Sequence, residues 1–152
     1  MTAGVTALVD HFRAIAAGKM QGLPIVNPAL DVEAVGFARD AEGHETGVLI
    51  APWFMNLVIL PATDAWDALP AGATVDWSLP SGRYEMTVCR DDRLGTYLTA
   101  VLFRSVTDFP DRATARAVAR EIVAVLGRPP AQPDGAGRRL SRRALFSGLG
   151  AS

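Results

Sequence analysis

The chain has 152 residues, of which 49% are apolar and 20% are charged, and this is the length and balance of a single globular domain. The composition excludes global disorder. The single cysteine, Cys89, excludes an internal disulfide framework and any cysteine cage for a metal within one chain. No apolar run has the length of a membrane helix. The first ten residues lack the basic region of a secretory signal, so we expect a cytoplasmic protein.

The net charge of −1 conceals a strong asymmetry along the chain. Residues 128–152 contain five arginines and one acid, whereas the preceding residues contain 10 basic and 15 acidic side chains. We therefore predict one acidic domain at residues 1–127 and a disordered basic tail at residues 128–152. An acidic body repels phosphate, which argues against nucleic acid as a partner.

Two helices are predicted near the ends of the domain. The first has Thr2 or Thr6 as its N-cap and Gly18 as its end, with an apolar stripe at helical spacing, formed by Val5, Leu8, Val9, Phe12 and Ile15. The second begins at Asp111 and stops at Gly127. Its stripe consists of Ala115, Val118, Ile122, Val125 and Leu126.

Between the helices, five extended segments are predicted, at residues 31–39, 46–51, 55–60, 83–90 and 96–106. Pro52-Trp53-Phe54 must bend the chain between the second and third of them. Residues 61–75 are interpreted as a loop with a helical turn after Thr63. Short connections favour hairpins, so we predict an α+β fold with a mostly antiparallel sheet. We expect both helices on one face of this sheet.

Enzymatic motifs are scarce. The chain lacks a phosphate-binding loop and a G-x-S-x-G elbow. His11 and His44 have no evident partner set, and His44 is expected to be solvated in a hairpin loop. Asp91-Asp92 is typical of a turn. Cys89 lies beside Arg90, which favours a thiolate, so a small redox or metal-handling enzyme that uses Cys89 or His44 stays open as an alternative. No cofactor or metal is predicted.

Large apolar side chains at bends and loops indicate a binding surface. Pro52-Trp53-Phe54-Met55-Asn56 forms one such bend, and Trp66, Trp77 and Leu79-Pro80 lie near predicted loops. Each has an alternative interpretation as core packing. Together they indicate an apolar groove, and acidic edges would suit a peptide with arginine and apolar residues.

Several strings resemble one family. The resemblance is found in residues 22–30 and 32–37, the stretch Gly47 to Leu57, the string Leu79-Pro80-Ser81-Gly82-Arg83-Tyr84-Glu85, Leu94-Gly95, the helix from Phe109 to Leu126 and residues 141–146. They resemble the HybE/HupJ/HoxT family of [NiFe]-hydrogenase accessory proteins over about residues 5–146. Some relatives carry a rubredoxin domain, which a chain with one cysteine lacks.

The resemblance implies a cytoplasmic assembly chaperone without catalytic residues. Its implied partner is the hydrogenase small subunit precursor, bound by its twin-arginine signal peptide or shielded at its iron–sulfur clusters. The large subunit and a separate rubredoxin are further candidate partners, and a docking scaffold for rubredoxin is another alternative. Membrane insertion is not expected.

Nine residues are the candidate contacts for this client: Pro52, Trp53, Phe54, Asn56, Arg83, Tyr84, Glu85, Arg142 and Arg143. Trp53 and Phe54 would anchor apolar residues, and Glu85 would pair with an arginine. Asn56 would bind the peptide backbone or hold the bend. Arg83 and Glu85 have a structural alternative as a cross-strand pair.

The tail suggests a mimic of the client. Residues 141–146 (Ser-Arg-Arg-Ala-Leu-Phe) have the serine, paired arginines and apolar residues of a twin-arginine core. We hypothesise that this segment occupies the groove when no client is bound. A solubilising tail and a contact for the hydrogenase itself are the alternatives.

Overall fold

A computed structural model of the protein describes residues 2–129. Helix α1 (Ala3–Ala17) is followed by strands β1 (Glu33–Arg39), β2 (Glu45–Ala51) and β3 (Phe54–Leu60). A one-turn 3-10 helix at Ala65–Ala68 leads to β4 (Thr74–Leu79), β5 (Gly82–Asp91) and β6 (Gly95–Phe103), and helix α2 (Arg112–Leu126) follows. The predicted α+β class is confirmed, with six strands in the described part where about five are expected from the sequence.

Both helices begin at side-chain caps. The Thr2 hydroxyl accepts a hydrogen bond from the Val5 amide, and the Asp111 carboxylate accepts one from the Thr114 amide at 2.7 Å. These bonds satisfy amides that have no partner within the first turn of a helix. Gly18 and Gly127 end the two helices, as the sequence predicts.

All neighbouring strands are antiparallel, in the order β1-β2-β3-β6-β5-β4. Ala51 pairs with Phe54, so Pro52 and Trp53 form a two-residue turn and the predicted bend is confirmed. Strands β1 and β4 are the two edges of the sheet. Strand β1 has an irregular register between Val35 and Ala38. Gly36, inside this irregularity, has a φ of +67°, and a Cβ there would lie 2.8 Å from the Val123 side chain.

The helices cover opposite faces of the sheet, so the prediction of one shared face is wrong. Val48 and Ile50 belong to the core under α2, whereas Leu49 and Ala51 belong to the core under α1. Side chains of a strand alternate between faces, and β2 is buried along its length from Gly47 to Ala51. A strand buried on both faces requires one helix on each.

Strand β4 is the element that sequence reasoning missed. The sequence predicts a loop at residues 61–75, yet Thr74 begins a strand that pairs with β5 through Leu79. Its burial alternates, with Val75, Trp77 and Leu79 half-buried and their neighbours exposed. The helical turn expected after Thr63 is confirmed at Ala65–Ala68. The last strand ends at Phe103 and not at Val106.

None of the helices among residues 2–129 is both long enough and apolar enough to cross a bilayer.

Candidate functional site

Three rings form an aromatic corner, defined here as Phe12, Trp53 and Phe54. Phe12 of α1 meets Phe54 edge-to-face, with centroids 5.3 Å apart, and Trp53 meets Phe54 at 5.5 Å. All three side chains are half-buried. Pro52 is buried, and its carbonyl accepts a hydrogen bond from the Asn27 amide at 2.7 Å. The turn is therefore fixed by backbone, and its rings are partly accessible to a partner.

Asn56 lies two residues after Phe54 and so points to the same face of the sheet. Its Oδ1 atom is buried and has no hydrogen-bond partner among the described residues. A buried carbonyl oxygen without a donor costs free energy. Asn56 therefore places a buried oxygen without a hydrogen-bond donor among the described residues beside the aromatic corner.

Beyond α1, the same face of the sheet is open over strands β6, β5 and β4. We define the open face by its outward side chains, which are Thr99, Val101, Arg83, Glu85, Thr87 and Asp76. Val101 is 52% exposed, the largest exposure of a large apolar side chain on the strands described here. The opposite face of these strands is closed by the α2 core.

Two carboxylates oppose each other on the open face. Asp76 and Glu85 are register partners on β4 and β5. Like charges at directly opposite positions destabilise a sheet. Both side chains are exposed, and the Asp76 carboxylate has no hydrogen-bond or ion-pair partner within residues 2–129. This pair places two carboxylates on the open face, which also carries Arg83 two residues before Glu85.

Five of the predicted contacts, Trp53, Phe54, Asn56, Arg83 and Glu85, point to this one face. Tyr84 does not, because it faces the α2 core, is 4% exposed and shares a hydrogen bond with Ser81. Its position fits a structural role. The predicted contacts Arg142 and Arg143, and the tail mimic, fall outside the described residues.

Sequence reasoning missed Asp76, Val101 and Phe12 as members of this surface. The signal for Asp76 was the alternation of polar and apolar residues from Thr74 to Leu79, which is typical of a half-buried strand. The sequence places Phe12 only in the apolar stripe of the first helix. Its contact with Trp53 and Phe54 depends on the placement of α1, which a single sequence does not give.

His44 is not solvated, contrary to the prediction. Its ring stacks on Trp66 at 4.8 Å and meets Trp77 edge-on at 5.3 Å. Its Nδ1 accepts a hydrogen bond from the Ala62 amide, and its Nε2 lies 3.5 Å from a Glu42 carboxylate oxygen. These contacts join the tip of the β1–β2 hairpin to β4, so the ring has a packing role.

Cys89 is a strand residue, as predicted. Its Sγ lies 3.3 Å from the Thr99 hydroxyl oxygen, and its side chain is half-buried. Among the described residues, no three His, Cys, Asp or Glu side chains form a group suited to a metal ion.

The end of β5 contains groups with shifted pKa values. The Asp91 carboxylate accepts hydrogen bonds from the Arg93 and Leu94 amides, which lower its pKa and confirm the predicted turn. His11 lies 3.3 Å from Asp91, a partner that the sequence did not reveal. Burial, with the nearby charges of Cys89 and Asp91, raises the pKa of Tyr97 to about 12.

The chain matches the family model described as "[NiFe]-hydrogenase assembly, chaperone, HybE" over residues 3–148. It is 47% identical to the hydrogenase expression/formation protein HoxT of Azotobacter vinelandii, with 94% of each chain covered. It is 43% identical to the probable rubredoxin HupJ of Rhodobacter capsulatus, with 80% of this chain and 44% of that protein covered. The solution structure of HybE from Escherichia coli superposes with a TM-score of 0.65 at 27% identity, covering 92% of this chain and 88% of that one.

Proposed function

The chain belongs to the HybE family of [NiFe]-hydrogenase assembly chaperones, and we propose that it binds the precursor of a hydrogenase small subunit in the cytoplasm without catalysing a reaction. The recognised segment is the twin-arginine signal peptide of that precursor. Binding keeps this segment covered until the subunit is mature.

The observation that supports this proposal is that aromatic rings and two carboxylates lie on the same face of the sheet. The aromatic corner offers partly accessible rings. Farther along the same face, Asp76 and Glu85 bring two carboxylates together. A twin-arginine signal has matching parts, because its arginines precede an apolar stretch. Apolar burial supplies affinity, and charge pairing supplies steering and specificity.

Two adjustments to the sequence-based contact set follow. Tyr84 supports the strand from beneath and is not a contact, and Asp76 joins Glu85 as a partner for arginine. We assign Trp53 and Phe54 to the apolar part of the signal.

The test is an NMR titration of the full chain with a peptide of the Ser-Arg-Arg-apolar type. We expect micromolar affinity, with shifts at Trp53, Asn56, Val101 and Glu85. A control peptide with both arginines replaced by lysine retains the charge but loses the bidentate geometry of guanidinium, so it should bind more weakly. Equal affinity for the two peptides, or shifts confined to the α2 side, would contradict the proposal.

Exposed charge pairs contribute little individually, about 0.2–1 kcal/mol each. The double variant Asp76→Asn/Glu85→Gln should therefore weaken binding about threefold to tenfold. Asp92→Asn removes one exposed carboxylate outside this surface and is a control for the loss of a single charge, for which we expect unchanged binding.

A further inference from the structure

A seam between the two edge strands is a second feature of this molecule. The tip of the β1–β2 hairpin approaches β4 through the contacts of His44 with Trp66 and Trp77. Next to this joint lies a trough, with Asp40 and Glu42 of the hairpin on one side and Asp76, Trp77 and Ser78 of β4 on the other. Three acidic residues line the trough, and of these Asp76 directs its side chain to the open face; none of the described lining residues is a lysine or an arginine.

An apolar cavity of about 250 Å³ adjoins the trough. Asp40 and Ser78 line both spaces. Further along, the cavity is walled mainly by apolar side chains and glycine, including Leu57, Leu79, Val123, Leu126 and Gly47; Arg39 is the cation among its lining residues. An apolar cavity of about 150 Å³ can hold a benzene ring, so this one has room for a leucine or phenylalanine side chain.

Strand β4 is the better edge for an added strand. Its register with β5 is unbroken from Thr74 to Leu79, whereas β1 has an irregularity at Gly36. Such irregularities twist an edge away from pairing. An extended peptide that pairs with a sheet edge gains main-chain hydrogen bonds there, and its alternate side chains enter pockets on either side.

We propose that the twin-arginine segment of the partner adds to the edge of β4 as a seventh strand, with its two arginines on opposite faces of the sheet. This inference rests on the proposed function and specifies how that partner is held. Consecutive side chains of an extended segment point to opposite faces. The first arginine meets Asp76 and Glu85 on the open face, and the second meets Asp40 and Glu42 across the trough.

An apolar residue two positions after the second arginine enters the cavity. Side chains two residues apart share a face and are about 7 Å apart along a strand. The cavity lies beyond the trough, toward Leu79 and Pro80. Because the apolar residue follows the arginines in the chain, the bound segment runs parallel to β4. The partner needs two adjacent arginines because each of them contacts a different pair of carboxylates.

The test is a set of double-mutant cycles between the full chain and peptides of the form Ser-Arg-Arg-Ala-Leu-Phe. Asp76→Asn/Glu85→Gln should weaken binding about threefold to tenfold. For a peptide whose first arginine is replaced by glutamine, the same double variant should not weaken binding any further. Asp40→Asn/Glu42→Gln should show the same dependence on the second arginine only. The Asp40→Asn change retains the side-chain oxygen that accepts hydrogen bonds from the Glu42 and His44 amides, so the turn is preserved.

Two further measurements address the strand and the cavity. N-methylation of the peptide backbone should weaken binding at least tenfold, because it removes main-chain donors. Ala38→Leu, at an exposed alanine that lines the cavity, should weaken the leucine peptide at least fivefold. It should leave a peptide with alanine at that position unchanged.

Each other outcome overturns the inference. If both arginines depend on the same carboxylate pair, or if N-methylation has no effect, strand addition is wrong while the proposed function stands. If no twin-arginine peptide binds, the proposed function fails and the inference fails with it. If seam resonances move in Arg142→Gln/Arg143→Gln without peptide, the occupant is the chain's own segment and not a partner.

Discussion

The two faces of the sheet differ in how completely they are covered. The α2 face carries one continuous core, from Val48 and Ile50 to Met86 and Leu98, and at its margin the side chains of β4 on this face are half-buried beside the cavity. The α1 face is closed only in part, and its outward side chains on β4, β5 and β6 are exposed or half-buried over the open face. The sheet is therefore packed mainly on the α2 side and presents exposed side chains on the other. This division suits an assembly chaperone, because exposed residues can be replaced without loss of the fold.

The largest expected effect comes from comparing two residues of one strand. Leu98 of β6 is fully buried under α2, and Val101 of the same strand is 52% exposed on the open face. Leu98→Ala should lower the free energy of unfolding by about 3 kcal/mol. Val101→Ala should change it by less than about 0.5 kcal/mol. Urea unfolding measures both, and similar losses would remove the distinction between the faces.

The second effect concerns the end of the α1 face, at Tyr97. Because its pKa is raised to about 12 in the folded state, the stabilising contribution is complete below about pH 10, the ordinary tyrosine pKa, and is lost as the pH rises through about 12. The loss should approach about 2–3 kcal/mol. Tyr97→Phe should flatten this part of the stability profile, measured by urea unfolding between about pH 9 and 12. An unchanged slope in Tyr97→Phe would show that another group causes it.

The third effect concerns the link between the faces. The Asn27 side chain, between α1 and β1, donates hydrogen bonds to the carbonyls of Val106 and Phe109, in the segment that leads to α2. Asn27→Ala leaves two acceptors without their donor and should cost about 2 kcal/mol. Asn27→Asp keeps the oxygen that accepts the Ala29 amide but loses both side-chain donors, so it should lower the free energy of unfolding at least as much as Asn27→Ala. If Asn27→Asp is as stable as the original protein, the two donated hydrogen bonds do not stabilise the fold.

The smallest expected effect tests the enzymatic alternative. Cys89→Ser should leave peptide affinity and hydrogenase maturation unchanged within about twofold, because the polar contacts of Sγ among the described residues are the Thr99 hydroxyl and the Thr87 carbonyl. Hydrogenase activity in a strain that carries this variant is the measurement. Lost activity with intact peptide binding would favour a thiol reaction and reverse our assignment.

Much of the fold could be predicted because local signals agree with it. The caps Thr2 and Asp111, the turn at Pro52-Trp53 and the alternation from Tyr84 to Val88 all depend on neighbouring residues. Strand β4 was missed because it is a short segment between Gly72 and Pro80, and its outward half is polar. The placement of the helices on opposite faces depends on long-range packing. The unbroken apolar run of β2, however, is typical of a strand that is buried on both faces.

The candidate site was predicted in composition but not in arrangement. Trp53, Phe54, Asn56 and Glu85 were selected from their chemistry, and their shared face follows from the register of β3, β6 and β5. Asp76 and the seam depend on β4 meeting the β1–β2 hairpin. This contact between β4 and the hairpin joins residues that are far apart in the chain. The periodicity of a single sequence does not indicate such contacts.

The charge on β4 has a consequence for the chaperone's own solubility. Two copies that met edge to edge at β4 would bring Asp76 and Glu85 of one molecule toward the same residues of the other. That encounter is repulsive, and β1 offers no regular ladder as a substitute. This repulsion disfavours self-pairing along the edge of β4.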